Sequence, residues 1–381
     1  MSQTLSGRDP HTGKPLRVSF SCGRITAIDS GAPGETAWLA PGLIDLQING
    51  YHDDDFNADR LTVEAVQRLA RNLLTIGITT FLPTLITASE ETIIENLRVI
   101  AAARKTDPLL AYMIHSVHVE GPHISPDDGP RGAHPREHVR PPDVDEFMRW
   151  QASSGDLVGM VTLSPHYAGV CQYIHALAQR GIHVSLGHSS ATPEQVHAAA
   201  AAGARLSTHL GNGVANLLPR HPNLIWAQLA DDRLTATMIA DGHHLPPDTL
   251  QVMLRAKTAS RSILISDLVA LAGMPPGLYE TPIGGTVELH ADGRLHIADS
   301  GFLAGATATL KDAVAFVTSN TDLGLSDAVR MATENPGLFV GGRGVLSAGA
   351  PADLVRFRWE EGSSSLAIED VIVKGQRRAP G

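Results

Sequence analysis

The sequence predicts an α/β protein: a (β/α)₈ barrel with a small β-sandwich domain assembled from both chain termini. Two observations carry this expectation. Eight short apolar runs ending in polar residues alternate with stretches of helical periodicity, and strands alternating with helices form a parallel sheet. Eight such units, over roughly 280 residues, are the number at which a parallel sheet closes on itself. The two chain ends carry a different, purely β-like alternation.

The apolar runs are Leu43–Asn49, Ile78–Thr84, Met113–Glu120, Val158–Ser164, Ile182–His188, Arg205–His209, Thr235–Ala240 and Ser262–Asp267. Helices are expected over 61–76, 89–105, 143–152, 170–180, 193–202, 224–231, 246–258 and 306–319. A doubly wound open sheet is the rival arrangement. It usually carries a glycine-rich phosphate turn after its first strand, and LIDLQINGYH has none. Within 16–40, LRVSFSCGRITAID alternates around a glycine turn, and 345–378 holds Ala352–Phe357 and Val371–Lys374. The expected division is therefore 1–40 plus 345–381 as the β-domain and 41–344 as the barrel. Between Asp267 and the last helix, TVELHADGRLHI reads as a hairpin turning at Asp292-Gly293.

Composition narrows the function classes. With 381 residues and 43% hydrophobic content, the chain can bury a large core. The net charge is −10 with both signs interspersed, and no Lys/Arg cluster offers a nucleic-acid footprint. No apolar run reaches the ~18 residues of a membrane span. Met1–Leu16 is polar and lacks the apolar core of a signal peptide, so a cytoplasmic location is expected. Cys22 and Cys171 cannot form a disulfide framework, which agrees with a reducing compartment. Histidine is the informative count: 18, against five Tyr and four Trp.

In a (β/α)₈ barrel the reactive groups project from the C-terminal strand ends. Strand 1 ends in Gln47 and Asn49, strand 3 in Glu120, strand 5 in His188 and strand 6 in His209. Strand 7 runs into Asp241, His243 and His244, and strand 8 ends in Asp267. Two imidazoles and a carboxylate are a common catalytic zinc set that leaves a position open for water. Glu120, His188 and His209 are therefore the expected ligands of one divalent metal ion, with zinc the first choice and Fe²⁺, Co²⁺ or Mn²⁺ also suited to these donors. Asp267, after a wholly apolar strand, is the expected proton-transfer group; its other readings are a helix cap or a metal ligand. His134 lies in a long loop after strand 3. Asn212 and Gly213 offer an amide and a backbone N–H just past His209, and Arg220 offers a bidentate fork for phosphate.

Other polar residues read as structural. His52-Asp53-Asp54-Asp55 is expected to be a solvated loop, since adjacent residues rarely converge on one ion. His115 and His118 form no clear ligand set, and His183 and His197 are expected at the surface or with satisfied partners.

The stretches APGLIDLQING, FLPTLIT, HVEGPHISP with GAHP, VTLSP, VSLGHSSAT, THLGNGVAN, ADGHH, LISD, LAGATATL and ATENPG with GAPADLV together resemble the N-acetylglucosamine-6-phosphate deacetylase family of the amidohydrolase superfamily. They occur in that family's order from about residue 40 to residue 356. HVEGP, GHSxAT and THLxN are specific to this branch; PGLID and GAPADLV are general to the superfamily. The resemblance implies that Glu120, His188 and His209 ligate the metal and that Asp267 is the acid/base. It implies that His134, Asn212, Gly213, Arg220 and His244 bind the sugar phosphate, and that Leu303, Ala304 and Gly305 line its acetyl end. It also implies a homodimer in which Arg220 reaches the neighbouring subunit's site. Most superfamily members carry His-x-His on strand 1 for a second metal. Gln47-Ile48-Asn49 stands there instead, which favours one tightly held metal with Gln47 and Asn49 as secondary contacts to the metal or water. VGMVTLSP has no lysine for a bridging carbamate.

The chain departs from the family pattern at His123, Leu268 and Gly337, and His123 is expected to alter the substrate pocket. The implied activity is hydrolysis of the N-acetyl amide of N-acetylglucosamine 6-phosphate. The rivals are a deacetylase of N-acetylgalactosamine 6-phosphate or another N-acyl compound, and an inactive barrel serving as a binding protein.

Overall fold

The structure, a computed structural model, describes residues 3–281, 285–298 and 301–380. Eight parallel strands stand in sequence order around the barrel: Leu43–Ile48, Ile78–Ile86, Val117–Glu120, Val158–Leu163, His183–Leu186, Leu206–Ser207, Thr235–Ile239 and Ser262–Ile265, numbered 1 to 8 below. Strands 1 and 8 meet just beyond the end of strand 8. There Ile48 pairs in parallel with Leu268. The Asp267 N–H donates to the Gln47 carbonyl at 3.1 Å, and the Asn49 N–H donates to the Leu268 carbonyl at 2.8 Å. Asp45 ties the seam from inside by accepting the Ser266 N–H at 3.2 Å. Burial pushes the Asp45 carboxyl up to about 7.

Alternation along the strands separates two cores. Ile44, Leu46, Leu82, Met160, Leu206, Ile239, Ile263 and Ile265 fill the barrel interior, while the outward residues pack against the surrounding helices. The first helix, Val63–Thr75, shows why these segments are helical. It buries Val66, Leu69, Ala70, Leu73 and Leu74, the spacing of one face of a 3.6-residue period. Thr62 caps it by accepting the Ala65 N–H. Ser89 caps Glu90–Thr106, and a Thr192/Gln195 capping box opens Pro193–Ala202.

Departures from the expected elements have local causes. Strand 3 starts at Val117 rather than Met113, because Asp107 and Pro108 open a short helix over Pro108–Met113. Strand 6 is only two residues long; beyond it the chain turns inward, with the His209 N–H bound to the Thr237 hydroxyl. The last barrel helix starts at Leu310 rather than 306, because Ala306 is still extended and paired with Leu268. Leu325–Met331 and Glu334–Gly337 form two further helices that the strand–helix alternation does not foretell.

The termini join in one seven-stranded sheet. It contains Gln3–Arg8, Pro15–Ser21, Arg24–Ser30 and Trp38–Pro41 from the start of the chain and Leu354–Arg358, Ala367–Val373 and Gln376–Pro380 from its end. The sheet curls over its own core. Val18 and Phe20 pack in one cluster with Ile372, although three strands lie between them along the sheet. The hairpin expected after Asp267 is present as Gly285–Leu289 paired with Leu295–Ile297, and Gly277–Thr281 adds a third strand. Among the described residues no helix is long and apolar enough to cross a membrane.

Gly337 acquires a physical reason. A Cβ there would lie 1.9 Å from the Arg343 carbonyl oxygen. Arg343 holds the N-terminal end of the barrel through the Thr80 hydroxyl and the Tyr112 carbonyl. Gly337→Ala is expected to lower stability by about 1–3 kcal/mol. The urea midpoint should fall with an unchanged slope, and activity should be retained because the position is remote from the C-terminal strand ends.

Candidate active site

The C-terminal strand ends converge on a cavity of about 640 Å³. Glu120 closes strand 3, His188 follows strand 5, His209 follows strand 6 and Asp267 follows strand 8. His188, His209 and Asp267 all leave their strands with positive φ, at 48°, 28° and 52°. Such backbone costs about 1–3 kcal/mol per residue and persists where the surroundings over-determine it. Here the turn directs each side chain across the barrel mouth.

Glu120, His188 and His209 meet closely. His209 Nε2 lies 3.0 Å from His188 Nε2 and 3.1 Å from Glu120 Oε1, and His188 Nε2 lies 3.4 Å from the same oxygen. His188 Nδ1 faces the Pro130 carbonyl at 2.8 Å. With that nitrogen donating, the Nε2 of the neutral ring carries the lone pair toward the cluster. Among the described residues His209 Nδ1 is buried without a partner, so none of them sets its tautomer. Ligands at about 2.0–2.1 Å around a tetrahedral ion stand roughly 3.3 Å apart, so this donor set has the spacing for one small divalent cation.

His134 faces the same space more loosely. Its Nε2 is 3.9 Å from Glu120 Oε2, and its Nδ1 bonds the Thr87 hydroxyl at 2.8 Å. One ligand atom each from Glu120, His134 and His188 lies within 4.8 Å of the others, so the cluster offers more donors than a three-ligand site needs.

Asp267 sits across the mouth, held by two amides. Gln47 Nε2 donates to its Oδ1 at 3.0 Å and Asn49 Nδ2 donates to the same oxygen at 2.8 Å. Gln47 Nε2 also reaches Glu120 Oε1 at 3.0 Å, so one NH₂ group separates two buried carboxylates. Their environments push them apart. Burial raises both, but hydrogen bonds and charge from His188 and His209 hold Glu120 well below the usual range. Burial and then the Glu120 charge raise Asp267. Such divergence is the mark of two carboxyls with different tasks.

The remaining residues form the walls. Asn212, Gly213, His244 and Leu303–Gly305 line the cavity, as do Asn49 and His134. Asn212 Nδ2 is buried without a partner among the described residues. Gly213, with φ 59°, leaves room for His188; a Cβ there would come 3.0 Å from His188 Nδ1. Gln47 is buried outside the lining and reaches it through Glu120 and Asp267. Arg220 is exposed and does not line the cavity of its own chain.

Sequence reasoning assigned no role to several supporting residues. Asp241 holds His244 by accepting its N–H at 2.8 Å and meeting its Nδ1 at 2.7 Å; the Asp-x-x-His spacing of an Asx turn is the signal for it. The hairpin supplies Val287 and Leu295 to the wall, which its alternation of apolar and polar residues could have indicated.

Two expectations are corrected. His123 does not shape the pocket: its ring stacks 5.7 Å from Trp150 and meets Tyr173 edge-on, beneath the loop. Residues 52–55 are more than a solvated loop, because Asp54 is buried against Arg68 at 2.5 Å and Asp55 lines the cavity. His118 is buried between the Leu46 carbonyl and the Thr162 hydroxyl, and His197 pairs with Asp231, so neither belongs to a ligand set.

The chain is similar to known proteins along nearly its whole length. The amidohydrolase family model matches residues 38–378. The chain is 33% identical over 355 residues to the N-acetylglucosamine-6-phosphate deacetylase of Bacillus subtilis, covering 89% of this chain and 87% of that one. It is also 33% identical over 341 residues to the N-acetylgalactosamine-6-phosphate deacetylase of Escherichia coli O157:H7, at 89% and 87% coverage. Among solved structures, a Mycobacterium smegmatis N-acetyl-D-glucosamine-6-phosphate deacetylase variant in complex with N-acetyl-D-glucosamine-6-phosphate superposes with a TM-score of 0.87 at 29% identity, over 99% of both chains.

If the barrel-mouth cluster holds an ion, removing one of its donors must show in metal content. Glu120→Gln and His209→Ala are each expected to weaken affinity by at least the roughly 10–100-fold that loss of a supporting contact costs. Elemental analysis after dialysis against buffered zinc measures this. Retention equal to wild type in both variants would dissolve the site.

Proposed function

The chain belongs to the amidohydrolase family, and from that premise we propose that it hydrolyses the N-acetyl amide of N-acetylglucosamine 6-phosphate, releasing acetate and glucosamine 6-phosphate. The observation that carries this is the convergence of Glu120, His188 and His209 within 3.4 Å of one another, with Asp267 tethered opposite. The relatives acting on this substrate supply the sugar.

Glu120, His188 and His209 hold one divalent cation, with zinc the first choice for a His₂Glu set and Fe²⁺, Co²⁺ or Mn²⁺ able to replace it. Such an ion supplies Lewis acidity toward an amide carbonyl and lowers the pKa of a coordinated water from about 15.7 to about 7. The chain's residues do the rest. Gln47 and Asn49 both load Asp267 Oδ1, and among the described residues none donates to Oδ2. That oxygen accepts the proton of the attacking water and returns it to the sugar nitrogen as the C–N bond breaks. His134, anchored by Thr87, and the unpartnered Asn212 amide hold the polar groups of the substrate beside the reacting carbon. Leu303, Ala304 and Gly305 shape the acetyl end.

His244, braced by Asp241, and Arg220 bind the phosphate. Arg220 is exposed outside the lining of its own cavity, and Leu217 nearby is 91% exposed with Trp226 49% exposed. Exposed apolar side chains beside an exposed arginine support a homodimer in which Arg220 completes the neighbouring site. The residue division 1–40 plus 345–381 against 41–344 follows the same reading, with the barrel carrying the chemistry. Two free cysteines suit a reducing, cytoplasmic setting. The galactosamine epimer is the second reading, favoured by an equally similar relative.

A substrate screen separates these readings. Acetate release should be fastest from N-acetylglucosamine 6-phosphate, slower from its 4-epimer, and weak without phosphate. Asp267→Asn is expected to lower kcat by roughly 10²–10⁴-fold. Arg220→Ala should raise KM for phosphorylated sugars while leaving kcat nearly unchanged. A metal-loaded protein that releases acetate from no N-acetyl hexosamine phosphate refutes the assignment in favour of a binding barrel.

A further inference from the structure

The hairpin after strand 8 carries a second group of metal-binding side chains, outside the barrel mouth. Its register pairs Glu288 with His296 and Leu289 with Leu295, and the His290 N–H bonds the Arg294 carbonyl at 2.9 Å. Side chains alternate across the ribbon. Val287, Leu289 and Leu295 are buried on one face in a cluster with Leu271. Glu288, His290 and His296 therefore share the other face. Their side chains are 44%, 28% and 20% exposed, open enough for an ion to enter and buried enough to be held in place.

The two imidazoles stack with their rings 20° apart, and His290 Nε2 faces His296 Nδ1 at 3.0 Å. Glu288 Oε2 lies 3.9 Å from His290 Nε2 and 3.7 Å from His296 Nε2. One ligand atom from each of the three lies within 4.8 Å of the others. A cation would replace that hydrogen bond when both rings are neutral, taking His290 Nε2 and a single nitrogen of His296, whose other nitrogen then carries the proton. We propose that Glu288, His290 and His296 form a second, peripheral site for a divalent transition-metal ion. Two imidazoles and one carboxylate select Zn²⁺, Cu²⁺, Ni²⁺ or Co²⁺ over Mg²⁺ and Ca²⁺, which prefer all-oxygen shells.

The site is wired to the cavity wall. The backbone of His296 pairs with Leu303, the first residue of the Leu303–Gly305 wall segment. At the tip, the Asp292 carbonyl meets His243 Nε2 at 3.1 Å, next to the wall residue His244. An ion joining the two strands across their outer face braces the ribbon whose inner face lines the cavity.

The test is additive and does not depend on the reaction assigned above. Full-length wild-type protein, His290→Gln/His296→Gln, His188→Asn/His209→Asn and the quadruple variant are dialysed against zinc buffered in the micromolar range. Bound zinc is then measured per chain. The hairpin variant is expected to hold about one equivalent fewer than wild type, the barrel-mouth variant one fewer, and the quadruple variant to lose both. Hydrogen exchange at the amides of 285–297 should slow on adding zinc to the barrel-mouth variant and stay unchanged in the quadruple variant. Glu288→Gln, which preserves the ribbon, should weaken the peripheral equivalent. Equal zinc in wild type and the hairpin variants, or peripheral binding only at millimolar zinc, overturns the proposal.

Discussion

Closure of the barrel between its first and last strands is the constraint on which the rest depends. The Gln47 carbonyl and the Asn49 N–H join the backbone of Asp267 and Leu268. The side chains of the same two residues then hold the Asp267 carboxylate. The contact that completes the fold is thus the contact that aims the Asp267 carboxylate into the barrel mouth. Open the seam, and Asp267 loses its backbone partner and both amides together, while Glu120, His188 and His209 remain on their own strands. Because Gln47 also touches Glu120, the seam sets how far apart the two buried carboxylates stand.

That arrangement opposes stability locally. Two carboxyl groups and three imidazoles lie within a few ångströms of one another, nearly devoid of solvent. Burying an ionised group costs several kcal/mol unless a partner compensates. Three of these residues also sit in left-handed backbone. The interior cluster of Ile, Leu and Met side chains below the mouth supplies the compensating burial. A cation among the donors would complete it, since imidazole lone pairs and a carboxylate otherwise face one another. Strain and buried polarity concentrated at one end of a well-packed barrel are the usual signature of a reactive site.

Much of this was legible in the chain because the signals were local. Leu43–Ile48 and Ser262–Ile265 are continuous apolar runs, which is what strands buried on both faces require. Polar residues directly after such runs fall at the barrel mouth by topology alone, so Glu120, His188, His209 and Asp267 could be named before any coordinates. Residues whose role depends on distant partners were harder to read. His123 sits in a motif beside Glu120, yet the turn after strand 3 sends its ring under the loop onto Trp150. Gly337 looked like a minor departure until the Arg343 carbonyl appeared beside it. Asp54 looked solvated until Arg68, fourteen residues on, closed over it.

The sequence by itself determined the repeating strand–helix order, which imidazoles and carboxyls follow the strand ends, and the joining of both termini in a separate sheet. Each of these follows from hydrophobic periodicity and residue chemistry, which the chain carries residue by residue. Only the tertiary structure decided distances and exposure: that two Nε2 atoms lie 3.0 Å apart, that two amides share one oxygen of Asp267, and that Arg220 is exposed outside the cavity lining of its own chain. The hairpin needed both, since its polar stripe is written in the alternation while the approach of His290 to His296 is set by strand register. The physical reason is the same throughout. Periodicity specifies which face a residue occupies, whereas packing across elements remote in sequence specifies what that face meets.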